Sequence, residues 1–281
     1  MVLRYRILNV FTVDDRLSGN PLCVFEASDA VTGLSTEQMQ ALARQLNLSE
    51  TTFVLPSDRA DARVRIFTPG FEMPFAGHPT LGTAHVVRAQ RGGDEITLEE
   101  NVGIVPVSAE GDRWTLRAAK APATRAPTAT RAQLALMLGL REAAIGEPLW
   151  VNTGAEQLVI PLASIDDVRN ATPTASLFAQ YARGQNEEMA YVWARGDGDQ
   201  IVVRFFFTQH GAVIEDPATG SACANLGGYF VATGAALPVA ATLSQGEAVH
   251  RPSRLGLRVD VDRGIYVSGN VVELGAGVFD V

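Results

Sequence analysis

The sequence has 281 residues, 47% hydrophobic and 19% charged, a balance that excludes a disordered chain and suits two lobes with cores of their own. Its formal net charge of −8 argues against a general nucleic-acid or anionic-membrane binder, since both need a basic face. Two cysteines, Cys23 and Cys223 in opposite halves, imply no disulfide framework, and no apolar run approaches the roughly 20 residues of a membrane span. Arg4 and Arg6 stand where a signal peptide needs its apolar core, so a soluble cytoplasmic protein is expected.

Tyr5, Ile7, Asn9, Phe11 and Val13 alternate as in a strand, and a second strand is predicted over 22–25, after Gly19-Asn20-Pro21. Cys23 lies in that apolar run as a small buried hydrophobe. Residues 34–46 read as a helix, with Ser35 and Gln38 as capping box, Leu34 and Met39 as staple and Asn47 at the exit. Glu50 follows, where an apolar helix hands over to an apolar strand. Such a place can desolvate a carboxylate and raise its pKa toward the range useful for acid–base work; a solvated loop glutamate is the plainer alternative.

A strand over 62–67 leads to Pro69-Gly70 and then to Gly77-His78, where a helix over 78–88 is predicted with Pro79 in its first turn. The free N–H groups of such a start suit a carboxylate or phosphate, and His78 sits at that mouth. His85, two turns on, reads as a packed or surface residue. Short strands over 96–98, 103–107 and 114–117 follow, and residues 120–127 are the candidate linker.

Thr130 and Gln133 repeat the capping-box spacing, with Gly139 as the stop. Glu156, within the 149–162 segment, echoes the glutamate–strand–proline order of Glu50 to Pro56 and reads as its internal counterpart. A helix is expected around 177–181, with strands over 191–194 and 201–207 paired through the turn at 196–199. A second helix start follows at Thr219-Gly220-Ser221-Ala222. Asp216 suits an ammonium or hydroxyl, and Ser221 with nearby N–H groups suits a carboxylate; either is also an ordinary helix cap. Cys223 falls inside that helix as a buried residue. Residues 243–281 read as short strands and turns.

One stretch occurs twice: Arg65 to Thr68 followed by Glu72-Met73-Pro74-Phe75-Ala76-Gly77-His78, and Arg204 to Thr208 followed by Glu215-Asp216-Pro217-Ala218-Thr219-Gly220-Ser221. The two Glu-x-Pro-x-x-Gly frames stand 143 positions apart (215 − 72), near half the chain. This repeat predicts two similar lobes, 1–124 and 125–281, with the active site in the cleft between them. Nucleotide-binding glycine motifs, His-Glu-x-x-His, Gly-x-Ser-x-Gly and Cys-x-x-Cys are absent, and the four histidines show no zinc spacing, so no cofactor and no metal is expected. What remains, Glu50, His78, Asp216 and Ser221 at two helix starts, suits proton transfer on a small anionic, amino-bearing carboxylate.

These segments resemble the phenazine-biosynthesis PhzF-like family. The resemblance is carried by Leu48 to Phe53, Phe67 to Pro69 with Gly77 to Gly82, and Glu215 to Ala222. Gly19-Asn20-Pro21, Gln245-Gly246 with Arg251-Pro252-Ser253, and Val267 to Val272 add to it. It spans nearly the whole chain in order. It implies an α+β fold of two pseudo-symmetric lobes, each a β-barrel-like sheet wrapped around a central helix as in diaminopimelate epimerase, and a homodimer. It also implies a cofactor-independent isomerase of phenazine biosynthesis that moves a proton on a substrate like trans-2,3-dihydro-3-hydroxyanthranilate. The family's proton-shuttling glutamate matches Glu50. Its site residues match His78 and Asp216, taken as catalytic, and Gly77, Gly220, Ser221 and Ala222, taken as substrate-binding. The two cysteines of the epimerase relatives fall at Ala76 and Thr219, neither of which is a base. Two alternatives stay open: an epimerase or racemase pairing Glu50 with Glu156 or Asp216, and a non-catalytic ligand-binding or interaction member.

Overall fold

In the computed structural model, which describes residues 1–118, 120–185 and 187–281, the chain divides into two units. The first is Met1–Ala119 with Ser268–Val281, and the second is Lys120–Val267.

In the first unit β1 (Val2–Val10) runs antiparallel to β2 (Asn20–Phe25). The helices α1 (Asp29–Thr32) and α2 (Thr36–Leu46) return the chain to β3 (Glu50–Leu55), parallel to β2. β4 (Ala62–Phe67) lies antiparallel to β3, and β5 (Glu72–Met73) folds back on β4. Next comes α3 (Gly77–Arg91), then β6 (Glu95–Glu100) parallel to β4, and the antiparallel β7 (Gly103–Glu110) and β8 (Arg113–Arg117). The last strand of the chain pairs with both β8 and β1, which closes the sheet into a barrel.

The barrel encloses α3, which touches β1, β2, β3, β4, β6, β7 and β8. A helix surrounded by strands must be thin, and eight of the 15 residues of α3 are glycine, alanine, threonine or valine. At Gly82 a Cβ would lie 2.5 Å from Leu22 Cδ2, so a larger residue would force Leu22 to shift. Outside, Met39, Leu42 and Ala43 of α2 cover Cys23, Phe25, Phe53 and Phe67, with Phe25 stacked on Phe53 at 4.9 Å between centroids. Each Met, Leu or Phe side chain among them contributes about 1.5–3 kcal/mol by burial. Because β2 and β3 bury both faces, Leu22 to Phe25 and Thr51 to Val54 show no polar alternation. The predicted capping box of α2 is present, and Asn47 ends the helix in the left-handed region.

The second unit repeats this order. β9 (Ala123–Arg125) pairs antiparallel with β10 (Leu149–Asn152), α4 (Arg131–Leu138) lying between them in sequence. β11 (Glu156–Pro161) is antiparallel to β10. The helices α5 (Ile165–Asn170) and α6 (Ala175–Tyr181) lead to β12 (Met189–Arg195), parallel to β11. β13 (Gln200–Gln209) and β14 (Ala212–Asp216) form antiparallel hairpins, and α7 (Gly220–Ala232) follows. β15 (Val239–Gln245) runs parallel to β13, and β16 (Ser253–Val259) is antiparallel to β15. β17 (Ile265–Asp280) ends the chain. The central helix here is α7, against β9, β10, β11 and β16. The fold is thus α+β, with seven α-helices among the described residues, none of them long and apolar enough to cross a membrane.

Three expectations change. The candidate linker contains β9, which adds an edge to β10. Residues 265–280, expected among short strands and turns, form one long strand, β17, whose register shifts once along β1. Residues 268–281, expected in the second lobe, group with the first unit because Val271 to Asp280 pair with β1.

Candidate functional site

The repeated stretch gives each unit the same ion pair. Arg65 donates from Nε and Nη2 to Glu72 at 2.8 and 2.6 Å while lying over the Phe67 ring. Arg204 donates from the same two nitrogens to Glu215 at 3.1 and 2.7 Å while lying over Phe206. The glutamates of the Glu-x-Pro-x-x-Gly frames therefore anchor the approach to the central helices. These pairs also fix which residues correspond: Arg65 matches Arg204 and Phe67 matches Phe206, with Gly77-His78 matching Gly220-Ser221 at the helix starts.

In the first unit Glu50 opens β3 and His78 is the second residue of α3. Ser49 Oγ donates to Asn20 Oδ1 at 2.9 Å, fixing the strand entrance that holds Glu50. His78 Nδ1 lies 3.4 Å from Glu50 Oε2, with side-chain exposures of 5% and 15%. Burial pushes the His78 pKa down to about 3, and a hydrogen bond to the Pro21 backbone only partly opposes it. The ring is therefore neutral, and its buried Nε2 has no partner. A neutral imidazole has one lone-pair nitrogen, and Nε2 in that role is able to accept a hydrogen bond from a substrate hydroxyl or amine. The Gly-Asn-Pro motif thus serves both residues, Asn20 through Ser49 and Pro21 through His78. Gly77 is buried in the same first turn.

In the second unit Asp216 ends β14, and Thr219 is the N-cap of α7. Thr219 Oγ1 donates to Asp216 Oδ2 at 2.5 Å instead of capping the helix. Gln245 locks this turn with three bonds: Nε2 donates to the Asp216 carbonyl at 2.9 Å and to Thr219 Oγ1 at 3.0 Å, and Oε1 accepts from Thr219 N at 3.2 Å. Gly246 follows at φ +81, where a Cβ would stand 2.2 Å from the Arg251 carbonyl oxygen and 2.5 Å from that of Pro217. Ser221 Oγ accepts from Gln157 Nε2 at 3.0 Å, and Gln157 Oε1 accepts from Asn225 Nδ2 at 2.7 Å. Asn225 Oδ1 in turn accepts from Thr153 N and Oγ1. Gly220 and Ala222 are buried in the same first turn. Neither Ala76 nor Thr219 makes a side-chain cap, whereas α2 and α4 carry full capping boxes. The starts of α3 and α7 therefore present backbone N–H groups not claimed by a cap.

Sequence reasoning passed over Gln157, Asn225 and Gln245 as site-building residues. Asn225 lies on the helix one turn past Ser221, the signal that could have found it. Glu156 changes its place. Pairing of Thr51 with Phe67 and of Ala190 with Phe206 makes Met189, not Glu156, the counterpart of Glu50. Glu156 instead accepts two 2.9 Å hydrogen bonds from Arg125, which hold its carboxyl below the usual range. An ionised, paired carboxylate of that kind is a weak base. Burial pushes the Cys23 thiol up to about 12 and that of Cys223 up as well, so neither is a thiolate nucleophile. His85 packs edge-on against Trp114. Among the described residues no group of three or more His, Cys, Asp or Glu gathers to hold a metal ion.

A family model described as "Phenazine biosynthesis-like protein" matches residues 8–277. An uncharacterized isomerase of Pasteurella multocida is 39% identical over 276 residues, covering 97% of this chain and 92% of the relative. The trans-2,3-dihydro-3-hydroxyanthranilate isomerase of Pseudomonas aeruginosa is 33% identical over 287 residues, covering 98% of each chain. The crystal structure of a Bacillus anthracis phenazine biosynthesis protein of the PhzF family, 24% identical, matches over 100% of both chains with a TM-score of 0.86 and supports the fold alone.

Proposed function

Because the chain belongs to the phenazine biosynthesis-like family, we propose that it is an isomerase in which Glu50 moves a proton on a small amino-bearing carboxylate, without a cofactor. The substrate class is a dihydro-hydroxyanthranilate, the compound named for the Pseudomonas aeruginosa relative. The Glu50 carboxylate removes a proton from one ring carbon, and the electron pair of that C–H bond spreads into the diene and carboxylate. The carboxylic acid so formed returns the proton to a second ring carbon of the same face, giving an enol that tautomerises to the ketone. Atoms and electrons balance with no other reactant. In the first unit His78 accepts a hydrogen bond from the substrate through Nε2 and the turn at Gly77 suits its carboxylate; in the second unit Asp216 suits an amine or hydroxyl and the turn at Gly220-Ser221-Ala222 a carboxylate.

One observation carries the single-base reading. The two units match in strand order and in their Arg–Glu pairs, yet the place of Glu50 is taken by Met189 in the second. A two-base epimerase needs a second proton carrier; Ala76 and Thr219 are not bases and Glu156 is bound by Arg125, which leaves only Asp216, whose Oδ2 accepts from Thr219 Oγ1. Glu50→Gln keeps the shape and removes the base, and it should lower turnover of such a substrate by about 10²–10⁴-fold. Unchanged turnover would refute the role given to Glu50. A homodimer is part of the proposal, tested by sedimentation at twice the chain mass.

A further inference from the structure

β6 and β15 hold the same place in the repeat: each runs parallel to the strand that carries the arginine of the Arg–Glu pair. Ala62 pairs with Leu98 and Ile201 with Leu243, so Glu100 and Gln245, the last residues of their strands, share one register. Burial agrees position by position, with Ile96, Leu98 and Glu100 buried in one strand and Ala241, Leu243 and Gln245 in the other. Both end side chains reach the first turn of their unit's central helix. Gln245 bonds Thr219, and Glu100 Oε1 lies 2.7 Å from Thr80 Oγ1.

Thr80 Oγ1 is also 2.7 Å from the Ala76 carbonyl oxygen. A hydroxyl has one proton, and a carbonyl can only accept. With that proton given to Ala76, the bond between Thr80 and Glu100 needs its hydrogen from the carboxyl. The other oxygen, Oε2, is buried without a partner, which a neutral acid tolerates and a carboxylate does not. The titratable or charged side chains of the elements against β6 are His78, His85, Arg88 and Arg91 on α3, Arg63 and Arg65 on β4, and Glu110 on β7. None of them offsets a charge on Glu100, and burial raises its pKa to about 8.

We propose that Glu100 is a protonated positioning residue, a neutral acid that clamps the first turn of α3 as the Gln245 amide clamps that of α7, and so sets the backbone bearing Gly77 and His78. The role of that turn in binding rests on the isomerase reading; the protonation state does not. Loss of the proton would place a negative charge behind N–H groups offered to an anionic substrate.

The test uses the full chain. Infrared spectra of wild type near pH 6.5 should show a protonated-carboxyl C=O band that fades as pH passes about 8 and is missing from Glu100→Gln. Glu100→Gln should melt at or above the wild-type temperature near pH 9, whereas Glu100→Ala melts lower at every pH. In turnover, Glu100→Gln should stay within about twofold of wild type near pH 7 and lack a rise in KM above pH 8 that wild type shows. A carboxylate spectrum near pH 6.5, or Glu100→Gln melting as low as Glu100→Ala, would overturn the proposal. The band and the melting need no substrate, so they stand or fall apart from the isomerase reading.

Discussion

His78 Nδ1 and Glu50 Oε2 lie 3.4 Å apart in the first unit, the imidazole enclosed and the carboxylate still partly open. Burial holds the ring neutral, so the contact joins a neutral imidazole to a carboxylate. That neutrality has a cost in acid. The His78 pKa is lowered in the folded chain to about 3, below its ordinary value of 6.5. Unfolded chains then bind a proton that the folded chain refuses, so the contribution is whole above about pH 6.5 and declines as pH falls toward 3.

Wild type should therefore lose more unfolding free energy between pH 7 and about pH 4.5 than His78→Gln does, as read by urea titration. Glu100 acts with the opposite sign. Its raised pKa favours the folded chain below about 4.5 and ceases to do so as pH rises to about 8. The His78 effect is thus read as wild type minus variant. Equal acid losses in the two proteins would contradict a buried neutral ring.

Glu156→Gln should keep turnover within about threefold of wild type, because Glu156 serves as the acceptor of Arg125 and not as a base. Its visible effect should be on stability, at most about 1 kcal/mol, since Arg125 is 44% exposed. A drop in turnover of a hundredfold would restore the two-base alternative.

Glu156 also shows where the sequence stops being legible. Glu50 to Pro56 and Glu156 to Pro161 look alike as strings, but β3 runs parallel to β2 whereas β11 runs antiparallel to β10. Only pairing tells them apart. The repeated Glu-x-Pro-x-x-Gly frames were readable because proline and glycine mark helix starts locally, and both capping boxes were readable for the same reason. Glu100 and Gln245 were not, because their kinship lies in register across strands, and Gln245-Gly246 reads locally as a loop. The closing of the first unit by β17 was likewise hidden: a strand partner about 270 residues away leaves no local trace.

Arg204 should matter more to stability than its twin Arg65. The Arg204–Glu215 pair is the more buried, at 14% and 7% side-chain exposure against 16% and 23%. Arg204 Nη1 also donates to the carbonyls of Val168, Arg169 and Ala171. Arg204→Met should cost about 3–5 kcal/mol and Arg65→Met about 1–3 kcal/mol in urea unfolding. The reverse order would contradict the reading of the two pairs.

Gly246→Ala should be strongly destabilising, because its φ is left-handed and the new Cβ meets two backbone carbonyls. Gln245→Ala should cost about 2–3 kcal/mol by stripping Thr219 N and the Asp216 carbonyl of their partner. If Asp216 binds substrate, Gln245→Ala should also raise KM more than it lowers kcat. Stability lost with KM unchanged would separate the turn from substrate binding.

The central claim is that Glu50 carries the proton. The direct measurement is conversion of a dihydro-hydroxyanthranilate in deuterated water, followed by proton NMR for wild type and Glu50→Gln. Wild type should form product that carries deuterium at the accepting carbon only to the extent that the Glu50 acid exchanges with solvent before it returns the proton, while Glu50→Gln should form product at least about 10²-fold more slowly. Conversion and labelling by Glu50→Gln at the wild-type rate would contradict the assignment.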